Sequence, residues 1–162
     1  MEIDLTKLIT SDKEKISINV DVNFDEESLS KTTIKKLIDT KFEGEISKLY
    51  DDEFNINGKL TGKMILPDDI TLEDTTYNFD INLDENFDIT NEIDENNLKI
   101  IKNTLDISNF LWQNILTEIP SKVVNEKNKN LTLEGNGWRL ITEKDLKKDN
   151  NNPFSELKDK FN

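Results

Sequence analysis

Apolar and polar side chains alternate with a period of two through most of the first half of the chain, and that period predicts strands. Ile16, Ile18, Val20 and Val22 alternate with Ser17, Asn19 and Asp21. A second run begins at Phe42, Gly44 and Ile46 and reaches about Tyr50. After the polar break Asp51-Asp52-Glu53, the even positions Phe54, Ile56, Gly58, Leu60, Gly62, Met64 and Leu66 form one long apolar phase. Two long runs joined by a short polar break predict an antiparallel hairpin. Pro67 ends the strand because it has no amide to give a ladder. Tyr77, Phe79, Ile81 and Leu83 alternate again, and Phe87 and Ile89 keep the phase. These runs predict four or five antiparallel strands sharing one apolar face.

Gly44, Gly58 and Gly62 all fall on the apolar phase, where glycine marks a bend, a bulge or a close backbone approach. The sheet is therefore expected to curl towards a barrel, and whether it closes is left open. Residues 25–38 read as linker with some helix. The period changes over 107–118, where Ile107, Phe110, Leu111, Ile115 and Leu116 make one helical stripe. Asp106 or Ser108 can cap that helix, Pro120 follows it, and Trp112 at the stripe's edge reads as packing. The fold class is α+β: a curled antiparallel β-sheet covered by one main helix, with an extended C-terminal tail. The organisation expected is a strand-rich core domain over 1–120 and a tail over 121–162. The tail ends in a short helix with Phe154, Leu157 and Phe161 on one side and Pro153 in its first turn.

Charge sharpens this division. The 162 residues carry 21 basic and 34 acidic side chains, a net charge of −13. Residues 1–120 hold 12 basic and 27 acidic side chains, whereas residues 121–148 hold 7 basic and 4 acidic. Such a body repels a phosphate backbone at long range, which speaks against DNA. A solvated surface that keeps the protein monomeric is the plainer reading, and a body complementary to a basic partner the sharper one. Apolar and charged residues each make up 34%, so the core must be economical.

The composition removes much chemistry. Without Cys there are no disulfides, thiolate metal sites or Cys nucleophile, and without His the commonest general base is gone. Carboxylates are the remaining candidates. Asp84, Asn86, Asp88 and Glu95 fall at ligand positions of a calcium loop, but Ile89 occupies the place of its glycine and the flanks read as strand. Asp51-Asp52-Glu53 and Asp68-Asp69 can be imagined holding magnesium for a hydrolase, yet both sit where acidic turn residues are expected anyway. No nucleophile–base pair and no phosphate loop is recognisable. The expectation is a non-enzyme with no cofactor and no metal. The start of the chain lacks the regions of a signal peptide and no apolar run is long enough for a bilayer, so a cytoplasmic protein without membrane contact is expected.

The tail holds the best binding candidates. Gly135-Asn136-Gly137-Trp138-Arg139 combines a permissive turn, an aromatic and the chain's one arginine. Trp138 can tuck into the core margin, the plainer reading, or stack on a base while Arg139 meets phosphate. Gly135, Gly137, Trp138, Arg139, Pro153, Phe154 and Leu157 are the candidate partner-binding residues.

Three segments in order resemble the YceD family, the large ribosomal RNA subunit accumulation proteins, in their cysteine-free low-GC Gram-positive and mollicute-like form. They are Gly58–Pro67 continuing to Phe87, Leu105–Ile107 followed by Asn114–Pro120, and Gly135–Glu143 ending in Pro153–Leu157. Many relatives carry Cys and Arg after the proline, where this chain has Asp68 and Ile70. The usual Asp-Pro-Arg of the tail is similar to Asn152-Pro153-Phe154 here. The resemblance implies an accessory factor for accumulation of large-subunit ribosomal RNA, with a ribosomal protein, the rRNA or both as partner. Two rivals stand beside it: a carboxylate-metal-dependent hydrolase, and a small-ligand carrier using a barrel interior.

Overall fold

A computed structural model describes residues 1–10, 14–50, 52–90 and 98–125, and the backbone of 134–135 and 138–139. The chain divides into two units, Met1–Val124 and Asn125–Asn162.

The first unit opens with strand β1 (Glu2–Asp4) and helix α1 (Thr6–Thr10). Next come strand β2 (Lys15–Asp21), helix α2 (Glu26–Ser30), and the long strands β3 (Lys36–Lys48), β4 (Glu53–Pro67) and β5 (Asp74–Asp88). Strands β6 (Lys99–Ile101) and β7 (Thr104–Asp106) then lead into helix α3 (Ser108–Thr117). In the second unit, β8 (Glu134–Gly135) pairs antiparallel with β9 (Trp138–Arg139).

The four-stranded sheet has the order β2-β3-β4-β5, antiparallel throughout. Its register places the expected apolar phases on one face: Val20 beside Phe42, Phe42 beside Leu60, Leu60 beside Ile81. Phe42, Ile46, Phe54, Ile56, Leu60, Met64 and Leu66 are wholly buried there. Phe54 and Phe87, directly opposed, stack with ring centroids 5.7 Å apart. Phe110, Leu111 and Ile115 of α3 join the same apolar cluster, which is why an amphipathic stripe becomes a helix here. Trp112 packs against Phe24 at 4.7 Å, as its position on the stripe suggests. Asp106 Oδ1 accepts from the Ser108 amide at 2.9 Å at the start of α3, while the N-cap position itself is Ile107.

The sheets do not close into a barrel. The inner face is instead bent over glycines. Gly44 and Gly58 are cross-strand partners, and the Phe42 ring lies over both. A bulge sits nearby, where Asp39 and Thr40 together oppose Gly62. Asp39 takes φ 52° in that bulge. The extra residue reverses the alternation, so Leu37 before it and Phe42 after it share a face. For this reason β3 begins at Lys36 and not at Phe42 as the alternation suggested, and part of the expected linker is strand.

A second, three-stranded sheet, β1-β7-β6, was not visible in the period of any run. Ile3 pairs with Leu105 and Ile100 with Leu105 from the other side. The β6–β7 connection is Lys102-Asn103, with φ 48° and 62°. Two positive φ values in a two-residue hairpin are the type I′ geometry, which favours Asn-Gly and has no preference for lysine. We therefore expect Asn103→Gly to raise stability by about 0.5–1 kcal/mol, read as a rise in thermal midpoint without loss of the Leu5 amide bond to the carbonyl at this position (2.8 Å).

Candidate functional site

The face of the four-stranded sheet turned away from the core is largely polar, with the half-buried Ile38 and Ile65 as exceptions. Across its strands lie rows such as Asn19, Glu43, Lys59 and Asn82. Most lysines of this face are answered by a carboxylate. Lys15 meets Glu45 at 2.9 Å, Lys59 meets Asp80 at 2.8 Å, and Lys63 meets Asp39 at 2.9 Å. Lys41 pairs with Glu43, and Lys35, just before β3, with Asp74. The hydrogen bond between Lys41 and Glu43 raises the lysine above its ordinary pKa and lowers the carboxyl below its own. Exposed pairs of this kind add little stability. They do shape the charge map, because they cancel most cations of the face.

The carboxylates at one end of the sheet have no lysine across from them in the register. Glu53 stands directly opposite Asp88, Ile56 opposite Glu85, and Asn57 opposite Asp84. Like charges face to face cost stability. Asp84 accepts from Asn55 Nδ2 at 2.8 Å, and Asp88 from the Thr90 amide at 2.6 Å. The bonds from Thr90 hold the Asp88 carboxyl below its usual pKa, so it stays charged. Two large apolar side chains share this end. Tyr50 is 73% exposed and Leu49 44%, and their amides donate to the Glu53 carbonyl at 3.2 and 2.9 Å. The Ile89 amide donates to the Asp52 carbonyl at 3.0 Å, tying β5 to the same turn.

At the opposite end, the loop from Asp68 to Glu73 is built on a wholly buried carboxylate. Asp68 Oδ1 accepts from the amides of Ile70 and Thr71, both at 2.9 Å, and from Thr71 Oγ1 at 3.2 Å. Asp69 is held to Val123 in both directions, each bond 2.8 Å long. These two carboxylates therefore act as turn anchors, the plainer of the two roles considered for them. Asp84, Asn86 and Asp88, three of the four calcium-loop candidates, lie along strand β5, and Glu95 lies outside the described residues. The filled inner face and the open sheets remove the barrel interior that a ligand carrier would use.

Of the candidates in the tail, the structure brings Gly135 and Trp138 opposite one another in the β8–β9 ladder, with Arg139 opposite Glu134. Gly137, Pro153, Phe154 and Leu157 lie outside the described residues. Tyr50 and Leu49 escaped the reading of the sequence. Among the described residues, no helix is long and apolar enough to cross a membrane.

Fold and surface together define an acidic α+β protein built on a bent antiparallel sheet. The family described as "Large ribosomal RNA subunit accumulation protein YceD" matches residues 56–159. The chain is also 31% identical over 132 residues to the "Uncharacterized protein YlbN" of Bacillus subtilis (strain 168), covering 78% of this chain and 72% of that one. This chain belongs to the YceD family, as a member without cysteine. No solved structure matches it. The family's name gives it a role in the accumulation of large ribosomal subunit RNA.

Proposed function

We propose that the protein is a cytoplasmic, non-enzymatic accessory factor for large ribosomal subunit assembly, acting by binding a ribosomal protein, large-subunit rRNA or both. The observation that carries this reading is the match over residues 56–159, which runs from β4 through β9. Electrostatics supports a division of labour. The body of residues 1–120, with 27 acidic against 12 basic side chains, suits a basic ribosomal protein and repels RNA. Residues 121–148, with 7 basic against 4 acidic, suit contact with RNA, with Trp138 and Arg139 as stacking and phosphate groups. Gly135, Gly137, Pro153, Phe154 and Leu157 complete the proposed partner-binding set.

A pull-down with the tagged full-length chain tests the reading. Recovery of large-subunit proteins or rRNA above a fold-matched acidic control is expected, with the protein component lost as salt rises. A well-folded bait that recovers neither class contradicts the proposal.

A further inference from the structure

Strand β5 is the edge of its sheet. Among the described residues no strand pairs with its outer side, although it runs for 15 residues. A strand of that length can offer an added strand backbone amides and carbonyls over about 45–50 Å. Proteins blunt such edges with charge, most often lysine. This edge carries no lysine or arginine. Its charged residues are Asp74, Asp80, Asp84, Glu85 and Asp88, all acidic.

The choice of sign has a consequence. Two copies of β5 laid edge to edge would bring Asp84, Glu85 and Asp88, which no lysine faces across the ladder, against carboxylates of the other copy, and a phosphate backbone would be repelled in the same way. A strand bearing lysines and arginines meets neither obstacle. The edge is thus closed to its own copy and to nucleic acid, and open to one kind of partner. Past the same end of the sheet, in the β3–β4 turn, Tyr50 is 73% exposed beside Leu49, and Glu53 just after them lies opposite Asp88. An exposed tyrosine in a turn that also carries Asp52 and Glu53 suits the methylene stem and the cation of an arginine or lysine.

Resting on the ribosomal reading above, we propose that the outer edge of β5 receives an extended lysine- and arginine-rich protein segment as an added strand. Backbone hydrogen bonds hold the segment to β5. Asp84, Glu85 and Asp88 pair with its basic side chains, and Tyr50 and Leu49 anchor one end.

The test uses the full chain and a synthetic peptide of roughly twelve residues alternating lysine and valine, long enough to line most of the edge. Its glutamate–valine counterpart is the control. The lysine peptide is expected to bind and to slow hydrogen exchange of amides within Thr75–Phe87, while the glutamate peptide does neither. D84K/E85K weakens binding about tenfold or more, and Tyr50→Ser about fivefold. Asn82→Asp, which adds a carboxylate to the middle of the edge, tightens binding about two- to threefold. Binding without protection of β5, affinity indifferent to these changes, or protection of β5 by a single-stranded RNA oligomer overturns the proposal. The two readings fail separately. If the lysate pull-down recovers no ribosomal component while the peptide docks on β5, the surface stands and the ribosomal role falls. If D84K/E85K recovers ribosomal proteins as well as the unaltered chain does, the reverse holds.

Discussion

Gly58→Val should lower stability by at least about 3 kcal/mol, and Gly44→Val by a similar amount. A Cβ at Gly58 would lie 2.6 Å from the Glu43 carbonyl oxygen and 2.7 Å from the Gly44 Cα. At Gly44 it would lie 2.4 Å from the Asn57 carbonyl oxygen and 2.8 Å from the Gly58 Cα. These obstacles are backbone atoms of the neighbouring strand, so only separation of β3 from β4 relieves the clash. The Phe42 ring, which covers the pair, would have to leave as well. Gly62 makes the contrast. Its nearest obstacles are the tip of the Phe79 ring at 2.6 Å and Thr40 Oγ1 at 2.9 Å, both side-chain atoms. Gly62→Ala is therefore expected to cost about 1–2 kcal/mol. Urea midpoints of the three variants check this order. Equal midpoints for the Gly58 and Gly62 variants would show that the bend does not depend on backbone contact.

Asp68→Ala comes next, with an expected loss of about 2–4 kcal/mol. It removes the wholly buried acceptor of the partly buried amides of Ile70 and Thr71 and of the Thr71 hydroxyl. A fully buried donor so abandoned costs about 1–3 kcal/mol, and these partly buried ones less each, not fully additively within one turn. Asp68→Asn keeps an acceptor oxygen at the same place and should recover at least half of the loss. That rescue separates a turn anchor from a metal ligand. A ligand role would instead appear as a divalent-ion dependence of the thermal midpoint that both substitutions abolish.

The alternating face of the large sheet was legible in the sequence because each strand buries one side only. Phe54 through Leu66 fall in the register as their spacing implied, and the period-3.6 stripe of α3 was equally plain. The start of β3 was hidden because the Asp39–Thr40 bulge reverses the phase, turning a continuous strand into an apparent linker. The smaller sheet was hidden for another reason. Its strands have three residues each, too few to show a period, and Ile3 finds Leu105 only through the fold. Its Lys102-Asn103 turn also lacks the residues that usually announce the geometry. The glycines told of curvature but not of how far it went: the sheet bends without closing.

The surface was less legible than the core. Tyr50 continues the apolar phase of its run, so the spacing gives no sign that it is left in water past the end of β3. Nor does acidity by itself show where charge goes uncancelled. That depends on which lysines cross the ladder to Glu45, Asp80 and Asp39 and on the absence of any opposite Glu85 and Asp88.

The account's central claim is that this protein serves the large ribosomal subunit, and a depletion strain tests it most directly. Sucrose-gradient profiles after depletion should show the large subunit falling relative to the small one, with its rRNA reduced in proportion. Restoration should follow from expressing the full chain. Unchanged large subunits and rRNA in cells shown to lack the protein would contradict the claim.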